Sequence, residues 1–164
     1  MTGDGHQTVL AVDDEPALTT LYEAWLRAEY DVCTATDGEE ALRIVETHDI
    51  DIVMLDREMP GRSGVDVLHE LRDRGHDFPV VMVTGVDPDV DIVQMPIDDY
   101  LVKPVDRTDL TSTLRTLLAQ RSDDEQVREF FRLARKKAVL EASRDGSSLS
   151  MSDEFGRLKD VSNA

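Results

Sequence analysis

Ile52-Val53-Met54-Leu55-Asp56 decides the fold: four apolar residues in a row, then a carboxylate. A strand with one wet face alternates apolar and polar residues. An unbroken apolar run of this length reads instead as a strand covered on both faces, as in parallel sheets. The pattern recurs on either side. Thr8 to Val12 runs into Asp13-Asp14-Glu15, Val80 to Val83 into Thr84, and Asp99 to Val102 into Lys103-Pro104, while Asp31 to Ala35 reads as one more strand. Helical spacing fills the gaps between them. Leu18, Leu21, Tyr22, Trp25 and Leu26 follow Pro16, a residue suited to a first helical turn. Ala41, Leu42, Ile44 and Val45 lie within Glu39 to Thr47. Val67, Leu68 and Leu71 stand between a Ser63 cap and a Gly75 stop, and Leu110, Leu114, Leu117 and Leu118 follow an Asp106 cap. The stretch after Asp87-Pro88, with Val90, Ile92 and Val93, is the weakest helix because Pro96 cuts it short. The expected fold is α/β, a doubly wound five-stranded parallel sheet with a C-terminal helical extension.

Parallel strands joined by helical crossovers bring their C-terminal ends to one edge, where doubly wound sheets bind ligands. The residues at those ends are Asp13 and Asp14, Asp56, Thr84, and Lys103. Taken singly, an Asp after a strand is often only a cap or turn former. Together they are three crowded carboxylates, which repel one another unless a hard cation sits among them; Mg2+ prefers such oxygen ligands. A cation of that kind lets a phosphoryl group approach. Asp56 is then a nucleophile, Lys103 a point charge for the phosphoryl oxygens, and Thr84 a hydroxyl donor.

With those residues in place the sequence resembles the receiver domain of two-component response regulators, over about residues 7 to 121. The resemblance rests on Asp13-Asp14, on Asp56-Arg57-Glu58-Met59-Pro60-Gly61-Arg62-Ser63-Gly64, on Thr84, and on Tyr100-Leu101-Val102-Lys103-Pro104. It implies a flavodoxin-like strand order of 2-1-3-4-5 and Mg2+-dependent phosphotransfer from a sensor histidine kinase to Asp56. The metal would be held by Asp13, Asp14, Asp56 and the backbone carbonyl of Glu58. The resemblance also implies a switch made of Thr84 and Tyr100, the hydroxyl moving toward the phosphoryl group as the ring turns inward, and a cis Lys103-Pro104 bond. There are two departures. Gly85 follows Thr84 where the family usually has Ala, and the segment from Thr84 to Lys103 is short, which trims the fourth helix.

Two other classes fit less well. A phosphatase using an aspartyl phosphate places a D-x-D nucleophile after the first strand, where this chain has Asp13-Asp14-Glu15. A flavodoxin needs a hydroxyl- and glycine-rich phosphate loop there, and an acidic pair would repel the flavin phosphate.

The net charge of the 164 residues is -17, which argues against direct DNA binding and against an anionic membrane surface. A surface this acidic suits an ordinary soluble protein or one adapted to high salt, where ions screen the repulsion. Cys33 is the only cysteine, no apolar run reaches 18 residues, and Met1 to Gln7 lacks a signal-peptide pattern, so a cytoplasmic home is expected. The charge changes along the chain, from 10 basic and 26 acidic residues in 1–122 to 8 and 9 in 123–164. That shift separates the receiver, 7–121, from an extension, 123–164. Asp123 to Ser143 reads as one amphipathic helix with Val127, Phe130, Phe131, Ala134 and Ala138 on one stripe. Arg128, Arg132, Arg135 and Lys136 lie largely away from it and read as a solvated face. Ser152 to Val161 reads as a short final helix. The text from Val127 to Glu141 resembles the start of the HalX domain found behind receivers in haloarchaea. Packing of the Phe130-Phe131 stripe on the receiver, or a homodimer through this helix, is expected. The expected output is contact with a downstream protein; the alternative is transcription regulation through the HalX-like extension.

Overall fold

The computed structural model describes residues 6–120 and 125–143, of which 125–128 as backbone only. Five strands form one parallel sheet: β1 (Thr8–Val12), β2 (Asp31–Ala35), β3 (Ile52–Leu55), β4 (Val80–Thr84) and β5 (Asp99–Val102), in the order β2-β1-β3-β4-β5. The helices are α1 (Pro16–Leu26), α2 (Gly38–Thr47), α3 (Gly64–Asp73), α4 (Arg107–Ala119) and α5 (Glu125–Ser143), with a 3-10 turn, η1, at Val90–Gln94. The doubly wound sheet expected from the apolar runs is the one observed. No helix among the described residues is long and apolar enough to cross a membrane.

Local chemistry sets the helix starts. Asp37 and Asp106 accept from the backbone N–H of Glu40 and Asp109. Ser63 and Asp66 form a reciprocal capping box. α1 has no side-chain cap, but Pro16 stands at its first turn. Gly75, with φ of 88°, ends α3 in the left-handed region that Gly tolerates.

The sheet divides the core in two because successive strand residues point to opposite faces. Val9 and Ala11 of β1 pack with Tyr22 and Leu26 of α1 and Leu110, Leu114 and Leu117 of α4. Leu10 and Val12 face the other way, toward Leu42 and Val45 of α2, Val67, Leu68 and Leu71 of α3, Ile92 of η1 and Leu140 of α5. The short β4–β5 connection leaves only η1 to cover its side of the sheet. α5 completes that layer, lying against β5 and η1.

This placement corrects the reading of α5 as a helix with a solvated basic face. Arg132 and Lys136 are 9% and 2% exposed, and Leu140 is fully buried. The physical reason is that the receiver offers each cation a partner. Arg132 Nε donates to Asp98 Oδ1 at 2.8 Å. Lys136 Nζ donates to the carbonyls of Val93 and Met95, at and just beyond the C-terminus of η1, where a cation meets unpaired carbonyls. Phe131 lies against the receiver beside Pro79 and Leu117. The Ser152–Val161 helix lies outside the described residues.

Asp98 is the hub of this contact. Its Oδ2 also accepts from the Val80 N–H at 2.9 Å and from Arg72 at 3.4 Å. Asp98→Ala leaves Arg132 buried without its counter-charge and the Val80 N–H unpaired. It is expected to lower stability by about 3–5 kcal/mol, read by urea unfolding.

Candidate functional site

The strand ladders carry the site residues one step past their strands. The Asp56 N–H donates to Val12 O at 3.0 Å, the Asp13 N–H to Ala35 O at 3.0 Å, and the Lys103 N–H to Thr84 O at 2.8 Å. Three neighbouring strand pairs thus fix the backbone under Asp13, Asp56, Thr84 and Lys103. All four lie at the C-terminal edge, as their positions in the sequence imply.

Asp13, Asp14 and Asp56 each offer a carboxylate oxygen within 4.8 Å of the others. Asp13 is 1% and Asp56 5% exposed, whereas Asp14 is turned more toward solvent. Lys103 Nζ lies 2.7 Å from Asp13 Oδ2 and 3.2 Å from Asp56 Oδ2. Asp13 Oδ1 accepts from the Glu15 N–H at 2.9 Å and Asp56 Oδ1 from the Glu58 N–H at 3.3 Å. Asp13 Oδ2 is buried, and although close to Lys103 it lacks an aligned hydrogen bond.

Burial pushes the Asp13 carboxyl above its ordinary range; Lys103 and the Glu15 N–H pull it back, and Asp56 adds repulsion. Burial acts on Lys103 in the opposite sense, but Asp13 and Asp56 together hold its ammonium above the usual value. One ammonium therefore serves three carboxylates, and the most buried of them remains under-neutralised. A divalent cation with oxygen preference fits this donor set. Tyr22 stands near the same charges, and burial pushes its phenol up to about 12, so it adds no charge of its own at neutral pH.

Thr84 is buried, with Oγ1 accepting from the Val86 N–H at 3.4 Å. The Tyr100 ring is turned inward, 2% exposed, and its hydroxyl donates to Val86 O at 2.7 Å. The Lys103-Pro104 bond is cis. Gly64 is required by space: a Cβ there would stand 2.0 Å from Asp56 O.

Arg57 has a role that its place in the motif did not reveal. Its Nη1 donates to the Tyr100 hydroxyl at 3.3 Å, and its Nη2 pairs with Asp91 on η1. The sequence signal was available only in retrospect, as an arginine next to Asp56 in a chain whose η1 loop is rich in aspartate.

Against known proteins, residues 9–115 match the model of the response regulator receiver domain, and residues 120–162 that of the HalX domain. The chain belongs to the response regulator receiver family, signalling proteins of the two-component phosphorelay, and carries a HalX segment behind the receiver. A Haloferax volcanii protein whose name describes a transcriptional regulator is 45% identical over 161 residues, covering 94% of this chain and 27% of that protein. The alkaline phosphatase synthesis transcriptional regulatory protein PhoP of Bacillus subtilis is 37% identical, over 69% of this chain and 49% of its own. The chain therefore spans about a quarter to a half of these curated relatives. Among solved structures, the response regulator TrrA of Thermotoga maritima, in complex with Mg2+ and BeF, superposes with a TM-score of 0.63 and 34% identity, over 68% of this chain and 98% of that one. A Methanospirillum hungatei receiver superposes at 0.66 with 24% identity, over 70% and 95%, and shares the fold.

Two substitutions test the geometry. Gly64→Ala forces the start of α3 away from Asp56 and is expected to cost roughly 2 kcal/mol or more in urea unfolding. Asp13→Asn removes a buried, under-neutralised charge. Without divalent cation it is expected to melt about 2–4 °C above the parent, equivalent to about 1 kcal/mol for a chain this size. It is also expected to lose the further rise in Tm that a divalent cation gives the parent.

Proposed function

We propose that this chain is a phosphorylation switch in which Asp56 accepts a phosphoryl group from the phosphohistidine of a sensor histidine kinase. The observation that carries the reading is the convergence of Asp13, Asp14 and Asp56 around the single ammonium of Lys103, on a receiver fold. Asp13, Asp14 and Asp56, with the Glu58 carbonyl, would hold Mg2+. When bound, Mg2+ neutralises phosphoryl oxygens and so permits a negative donor to enter a negative site. An Asp56 carboxylate oxygen forms the new bond to phosphorus as the donor's N–P bond breaks. Lys103 stays within reach of Asp56 and meets the charge that develops on the phosphoryl oxygens. Asp13 holds the Lys103 ammonium in place from the other side. The Thr84 hydroxyl gives up its weak contact with the Val86 N–H and donates to a phosphoryl oxygen, and the inward ring of Tyr100 fills the space behind it.

The chain is a phosphoacceptor that assists its own phosphorylation and dephosphorylation rather than an enzyme acting on a separate pool of substrate. It acts in the cytoplasm, and its output is contact with a downstream protein. Regulation of transcription through the HalX segment has on its side the names of the Haloferax and Bacillus relatives, whose activities belong to longer proteins. Direct DNA contact through α5 is weakened as a reading because Arg132 and Lys136 are buried on the receiver. A homodimer through the same face is weakened for the same reason. In sequence terms the receiver occupies 7–121 and the HalX-like extension 123–164, yet α5 packs as part of the receiver core.

A small phosphodonor with Mg2+ is expected to give the chain an acid-stable, base-labile phosphate label. Asp56→Ala, shown by circular dichroism to be folded, is expected to carry none. Full labelling of that variant would remove Asp56 from the role.

A further inference from the structure

Docking of α5 through Arg132, Lys136 and Leu140 decides which of its sides is left over. Ala134 and Ala138 stand two residues either side of Lys136, so both lie roughly 160° round the helix from it. Ala138 is exposed, and Ala134 and Phe130, on the same side, are half-buried. Part of the apolar stripe therefore faces away from the receiver, and its alanines leave a shallow track for larger side chains. Glu141 lies on that side as well. Its Oε2 is shut off from solvent with no hydrogen-bond partner among the described residues. A sealed acceptor calls for a donor.

Residues 144–164, outside the described residues, supply an occupant of fitting chemistry. Met151, Phe155 and Leu158 recur at helical spacing, and Ser148, Ser150 and Ser152 offer hydroxyl donors beside them. Residues 144–151, with Gly146 among them, separate Ser143 from 152–161, a connection length that suits two antiparallel helices. Ten helical residues span about 15 Å, enough to run from Ala142 back past Ala134. One family model matches 120–162, so α5 and this segment belong to a single module. A second copy would have to bring together two chains of charge -17, whereas residues 144–164 carry three basic and four acidic residues. We propose that 152–161 folds back along α5 as an antiparallel helix, seating Met151, Phe155 and Leu158 on the side of Phe130, Ala134 and Ala138. The HalX segment is then a two-helix hairpin. Its first helix is fastened to the receiver, and its second is the surface that other molecules meet. This arrangement is independent of phosphate at Asp56.

The test is proton NMR of the isotope-labelled full chain, with an equimolar mixture of labelled and unlabelled chain filtered for contacts between copies. Nuclear Overhauser contacts from the Ala134 and Ala138 methyls to the Phe155 ring are expected within the chain, and none between copies. Phe155→Asp is expected to speed amide exchange of 152–161 at least about tenfold, with α2 unchanged as the control. Ala138→Asp, on the facing helix, is expected to do the same. Random-coil shifts for 152–161 in the parent would overturn the proposal. So would contacts to Phe155 found only between copies, which would assign the stripe to a second copy, or parent-like exchange of 152–161 in either variant.

Discussion

Lys103 Nζ sits between the carboxylates of Asp13 and Asp56, at 2.7 and 3.2 Å, with Asp14 beside them. One positive charge for three negative ones is an unstable arrangement at a site this buried. The parallel sheet imposes it by delivering the ends of β1, β3 and β5 to the same edge. The fold maintains it because the N–H groups of Asp56, Asp13 and Lys103 donate to the carbonyls of Val12, Ala35 and Thr84 and so fix the backbone under those three charges. The shortfall of positive charge is what suits the site to the proposed chemistry, in which a divalent cation would make room for a phosphoryl group.

Most of this was legible in the sequence because it depends on short-range pattern. Unbroken apolar runs marked strands buried on both sides, and reading the residue after each run gave Asp13, Asp56, Thr84 and Lys103 without any knowledge of contacts. Caps at Asp37, Ser63 and Asp106 and the stop at Gly75 were equally local. The extension was harder. Its helix was found, but its buried face was assigned to the apolar stripe through Phe130 and Phe131, leaving Arg132 and Lys136 in solvent. The structure buries both cations against Asp98 and the carbonyls of Val93 and Met95, partners that lie 34 to 43 residues away in the chain. Helical periodicity weighs side chains by polarity and cannot see a distant counter-charge. The useful signal was the short Thr84–Lys103 segment, which leaves one face of the sheet in need of cover.

That cover links the site to the extension. In this chain η1 is too short to fill its layer, so Leu140 and its neighbours on α5 enter the receiver core. The helix behind the receiver is then not a tethered module but part of the wall behind Tyr100. Arg57 and Val86 join the Asp56 loop, the Tyr100 hydroxyl and η1 in one set of bonds. The Arg57–Asp91 pair is half exposed and contributes little to stability by itself. Its importance lies in geometry, since it keeps η1 in register with the loop after β3.

The central claim is that the crowded carboxylates make Asp56, and not Asp13 or Asp14, the group that takes phosphate. Borohydride reduces an aspartyl phosphate to homoserine, leaving a permanent mark at the modified residue. Tandem mass spectrometry of the chain after phosphodonor, Mg2+ and borohydride is the most direct measurement. The account predicts homoserine at position 56 alone; homoserine at position 13 or 14, or at none of the three after the donor has been consumed by the protein, would contradict it.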